Sequence, residues 1–118
     1  MTTGQTFSVY VGLTEDITQP FDFYMLADTP AGVYTIYLNG KVEKGITPLY
    51  RKVKSFTKDY ITTIRPKIKI PASMKGKTIT FYAAFIQAGK KPPVKKLSDL
   101  TPTTQYVILM DKHAAVVN

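Results

Sequence analysis

Apolar and polar side chains alternate with a period of two through most of this chain, and no segment longer than about ten residues carries a helical repeat of 3.6. A pleated strand sends successive side chains to opposite faces, so this pattern restricts the chain to extended structure. Phe7, Val9, Val11 and Leu13 alternate with Ser8, Tyr10 and Gly12, which predicts a half-buried first strand. Phe21, Phe23, Met25 and Ala27 repeat the pattern after Pro20. Residues 33–38 form a third candidate, rich in β-branched and aromatic types. Asn39-Gly40 follows at once, a pair that tolerates positive φ at both positions of a tight hairpin turn. Residues 41–44 would return as a short strand, and 49–56, 60–64 and 68–70 are further candidates, the last ending at Pro71. Over 77–88 the alternation is clean, with Ile79, Phe81, Ala83 and Phe85 on one face and Thr78, Thr80, Tyr82 and Ala84 on the other. Residues 105–110 read as the final strand.

Eight prolines and seven glycines punctuate the chain, and turn signals recur roughly every 8–12 residues, the spacing of a β-sandwich or barrel. The expectation is a single all-β domain over residues 1–118, with seven to eight antiparallel strands. A sandwich is preferred because the aromatic-rich strands at 21–27 and 79–85 could face each other as two halves of a core. An OB-type barrel is the alternative, although it usually needs fewer strands. A hydrophobic content of 44% against 20% charged residues is enough for a packed core and argues against disorder. Residues 89–96, Gly-Lys-Lys-Pro-Pro-Val-Lys-Lys, read as a long exposed loop before the last strand.

The residue inventory argues against catalysis, metal and cofactor chemistry. Cysteine is absent, which removes disulfides, thiolate ligands and a cysteine nucleophile. His113 is the single histidine and lies past the expected last strand, where a general base is rarely held in place. Glu15 and Asp16 are adjacent, but neighbours on a loop are usually solvated rather than paired for acid–base work. Glu15, Asp16 and Asp28 do not follow a calcium-loop spacing, and Gly76-Lys77-Thr78 lacks the upstream glycine of a phosphate loop. No apolar run approaches the ~18 residues of a membrane helix, and the N-terminal residues show no export signal. Zero cysteines suit a reducing compartment and many bacterial surface proteins alike, so compartment stays open on this count.

Charge is distributed unevenly. Residues 1–40 contain Glu15, Asp16, Asp22 and Asp28 and no basic residue, whereas residues 41–118 hold all sixteen lysines and arginines and the other four acids, for a net +8. Lys52 and Lys54 would share one face of a strand, as would Lys67 and Lys69, and Lys90, Lys91, Lys95 and Lys96 crowd the loop before the last strand. Three readings compete. Lysines blunt strand edges and keep a surface soluble. They also attract polyanions such as nucleic acid, acidic polysaccharide or anionic lipid. Finally, an acidic N-terminal third and a basic remainder would suit head-to-tail assembly of identical subunits. Tyrosines and phenylalanines interleaved with lysines are one way single strands are held, as at Tyr50, Phe56 and Tyr60. Such residues are more often core and cross-strand pairs, and the chain has only two arginines. Sugar binding would have to use Tyr24, Tyr34, Tyr37 or Tyr82, since tryptophan is absent.

Two stretches resemble an immunoglobulin-like or fibronectin-like β-sandwich module of bacterial secreted and cell-surface proteins. Residues 21–34 are similar to its opening hairpin, an alternating strand followed by Pro30, Gly32 and Tyr34. Ile70-Pro71 and residues 76–84 are similar to its penultimate strand, where a proline, a glycine and Thr-Phe-Tyr-Ala recur. The resemblance covers about residues 20–111 and implies a spacer, adhesive or subunit-contacting domain, extracellular or on the cell surface. It is also similar to the globular subunits of pili that pair with a separate short helical pilin. The expected role is thus a non-catalytic structural or protein-interaction module, such as a filament or pilus subunit, with no cofactor and with a protein partner or another copy. Contacts would come from strand edges and from the acidic 15–28 region meeting a lysine-rich surface. The alternative is a polyanion-binding module using Lys52, Lys54, Lys67, Lys69, Lys90, Lys91, Lys95 and Lys96.

Overall fold

The computed structural model describes residues 2–8, 16–54 and 67–118. Within them the chain is all-β, with antiparallel pairing throughout. The strands are β1 (Thr6–Ser8), β2 (Phe21–Thr29), β3 (Gly32–Ile36), β4 (Val42–Lys44), β5 (Tyr50–Val53), β6 (Lys67–Lys69), β7 (Thr78–Gln87) and β8 (Val107–Val116). The expected strand at 60–64, and the ends of those at 7–13 and 49–56, lie outside the described residues.

One large sheet runs β4-β3-β2-β7-β8, and β5 also pairs with β2; a second sheet consists of β1 and β6. β3 takes the C-terminal half of β2, with Leu26 opposite Thr35, and β5 takes its start, with Phe23 opposite Tyr50. β2 and β7 are hydrogen-bonded neighbours from Phe21↔Gln87 to Asp28↔Thr80. This corrects the expectation that 21–27 and 79–85 face each other across a core. Their aromatic rows lie side by side on one surface, where Phe85 packs on Phe21 edge-on at 5.2 Å and on Phe23 at 4.7 Å between ring centroids.

Both surfaces of the central strands are covered, so Phe21 to Ala27 are all buried. On one surface Phe21, Phe23, Met25, Ile79 and Phe85 pack with Phe7 and Ile68 of the small sheet, and with Ile70 and Met74 beyond it. On the other, Tyr24, Leu26, Tyr82, Ala84 and Ile86 lie under Leu97 and Leu100. Leu97 opens a short 3-10 turn (Leu97–Asp99) in the loop between β7 and β8, and Leu100 follows it. Residues 89–96, expected as an exposed loop, are largely exposed, with Val94 partly buried against the sheet; the main cover comes from Leu97 and Leu100 just beyond that stretch.

The turn after β3 follows the expected hairpin in a different form. Gly40 N–H donates to the Tyr37 carbonyl, Tyr37 N–H donates to the Lys41 carbonyl, and φ is positive at Gly40 but not at Asn39. This is a three-residue loop with glycine in the left-handed position rather than a two-residue turn. A side chain at 40 would also meet the Lys67 carbonyl at 2.1 Å, so the hairpin tip rests against the small sheet only because the residue is glycine. The last strand is longer than expected, because residues 111–116 continue in register against β7 from Ala83↔Asp111 to Thr78↔Val116. His113 therefore lies within β8, exposed, opposite Phe81.

Candidate functional site

Asp22 is the charged residue in the otherwise apolar run of β2, and it is 5% exposed. Its Oδ1 accepts the backbone N–H of Lys52 at 2.8 Å and its Oδ2 that of Gly89 at 3.1 Å. Both contacts are structural. β5 places three steps, Tyr50 to Val53, against the two between Phe23 and Phe21, so the strand bulges opposite Asp22. Lys52 takes up the extra length with φ 54, in the left-handed region, and its N–H goes to the carboxylate. On the other side, Lys90 N–H donates to the Gln87 carbonyl and closes a turn in which Gly89 has φ 80.

One carboxylate thus holds two segments that are far apart in sequence. Each backbone nitrogen sits within about 3 Å of an Asp22 oxygen, which joins the segment carrying Arg51, Lys52 and Lys54 to the turn that leads into Lys90 and Lys91. All five are exposed. Lys90 Nζ lies over the Tyr106 ring, 5.1 Å from its centroid. Tyr24 is buried beneath this end of the sheet. Burial raises its hydroxyl pKa, the charge of Asp22 adds to the rise, and Arg51 opposes it.

The other expected site residues fall elsewhere. Lys67 and Lys69 are on β6, in the small sheet. Lys95 and Lys96 are exposed on the covering loop. Asp28 is half-buried at the far end of β2, and with Asp99 it adds to the rise that burial imposes on Tyr82. Asp16 is exposed and Glu15 lies outside the described residues. Of the acidic region, then, Asp22 is withdrawn from the surface, and Asp28 stands six residues away along β2, about 20 Å. The charge-based docking expected for 15–28 loses its central member because a carboxylate in a doubly covered strand must find internal donors. The signal for this was in the sequence: Asp22 interrupts Phe-Asp-Phe-Tyr-Met-Leu-Ala, a run too apolar for a half-exposed strand.

At the opposite side of the sheet, β8 has a strand on one side only among the described residues. The Lys112 N–H donates to Asp111 Oδ1 at 2.8 Å rather than to β7. Opposed residues of an antiparallel pair alternate between exchanging hydrogen bonds and making none. Lys112 therefore turns its backbone outward, and so do Met110 and Ala114 two residues to either side. The other edge, β4, has three residues and carries an exposed Lys41–Glu43 ion pair at 2.9 Å. Among the described residues no three His, Cys, Asp or Glu side chains gather as metal ligands, and no helix is long and apolar enough to cross a membrane.

Comparison of the chain with protein-family models, curated proteins and solved structures finds no match in any of the three.

Proposed function

We propose that this protein is a non-catalytic interaction module that assembles with further copies of itself by adding strand to strand along β8. The observation that carries the reading is the middle of β8, which among the described residues pairs with β7 alone and turns backbone groups outward at Met110, Lys112 and Ala114. Strand addition supplies main-chain hydrogen bonds without requiring a pocket. Asp111 holds the middle N–H of this edge, so an incoming strand must displace its carboxylate, which raises the threshold for indiscriminate pairing. Placement at a bacterial cell surface, as part of a filament, rests on the resemblance of residues 20–111 to the immunoglobulin-like module. The β2–β3 hairpin and the pairing of β7 with β8 support that finer fold class, while the division of the described strands into six and two departs from its usual four and three.

The test uses light scattering over a wide range of concentration. Wild-type mass should grow with concentration, and Asp111→Ala should associate at lower concentration. Ala114→Pro should stay monomeric with an unchanged melting temperature, because it removes an outward N–H and no bond to β7. Association of Ala114→Pro equal to wild type, or monomers throughout for wild type and Asp111→Ala, would overturn the proposal.

A further inference from the structure

We infer a second, separate surface: the basic cluster that Asp22 gathers at the start of β2 is a sequence-independent binding site for single-stranded nucleic acid. Along the chain, Arg51, Lys52 and Lys54 stand nearly forty residues from Lys90 and Lys91, and nothing in their spacing pairs them. The two hydrogen bonds to Asp22 join them across the end of the sheet. The bulge at Lys52 breaks strand alternation there, so Arg51 and Lys52 need not point to opposite faces. Asp22 is buried and both its oxygens are engaged, so its charge offsets one of the five cations and the exposed surface remains basic.

Four of the five cations are lysines, which act as point charges toward phosphate and lack the planar fork that reads bases. Binding by such a surface follows the backbone. The exposed ring of Tyr50, on the Phe23 surface of the sheet, adjoins the cluster at its β5 edge. Tyr50 precedes Arg51, stacks on Phe23 at 6.3 Å between centroids, and remains 43% exposed. Tyr106 is partly buried and has Lys90 Nζ over its ring, so it holds that lysine in place rather than stacking a base. The exposed ring of Tyr50 beside the cations favours a strand with unpaired bases over a sulfated polysaccharide, which has no base to stack. The site is distinct from the assembly surface: the outward groups at Met110, Lys112 and Ala114 lie four to eight residues along the chain from Tyr106, and among the described strands β2 and β7 separate β5 from β8.

The probe is a fluorescently labelled oligothymidylate of about 15 nucleotides, within the span such surfaces cover. Anisotropy should show binding whose logarithm falls with log salt at a slope of about −3, given roughly 0.7 per phosphate contact on a single strand. Lys90→Ala/Lys91→Ala should lower affinity about tenfold at moderate salt and reduce the slope by about 1.4. Lys75→Ala/Lys77→Ala, at the opposite end of β7, should change affinity far less, and Ala114→Pro should bind as wild type. Equal losses from the two lysine pairs would show diffuse attraction and overturn the site. So would absence of binding, or retention of heparin that the oligonucleotide fails to displace. Circular dichroism melts of each variant separate lost contacts from lost folding.

Discussion

Asp22 accepts N–H groups from residues 30 and 67 positions further along the chain, and it does so from inside the sheet. A buried backbone donor without an acceptor costs about 1–3 kcal/mol. Asp22→Ala strands two donors and also leaves Lys52 in a left-handed conformation with nothing holding it there. We expect a loss of about 2–4 kcal/mol, seen as a lower urea midpoint. Asp28→Ala, at a half-exposed position of the same strand, should shift the midpoint far less. If the two substitutions cost the same, the carboxylate is not what joins β5 to the turn after β7.

At the scale of elements, β2 and β7 present Tyr24 and Tyr82 to the surface that the Leu97–Leu100 segment covers. Burial, the largest cause, holds both hydroxyls above the ordinary tyrosine value of 10.0. The unfolded chain then releases these protons at lower pH than the folded one. Their contribution to stability is complete below the ordinary value and is lost as pH rises from there through the raised folded values. Urea midpoints measured from roughly pH 8 to 11 should therefore fall toward the alkaline end. Tyr24→Phe/Tyr82→Phe should flatten that fall; an unchanged slope would assign it to other groups. The strands themselves were legible at this scale. Ile79, Phe81, Ala83 and Phe85 do share a face, because alternation follows directly from the pleat. The end of β8 was not, since Asp111, Lys112 and His113 carry no apolar alternation and are strand because β7 offers them partners.

At the scale of the whole molecule, the loop of residues 88–106 serves as a second covering layer. Leu100 is fully buried among Tyr24, Leu26, Tyr82 and Met110. Leu100→Ala should cost about 2–5 kcal/mol, the range for a leucine truncated in a core. Chemical denaturation would show this as a shift of the whole transition, whereas a peripheral loop would shift little. Tertiary structure likewise decided which cations meet. The lysine groups at 52–54, 67–69 and 90–96 looked equivalent along the chain, and only the first and the head of the last adjoin at Asp22. The sequence by itself determined that the chain is extended, antiparallel and punctuated by tight turns, because those properties are carried by neighbours two to four residues apart. Which strands lie beside one another, which backbone donors a buried carboxylate takes and which charges share a surface depend on contacts between residues dozens of positions apart, and no local pattern encodes those.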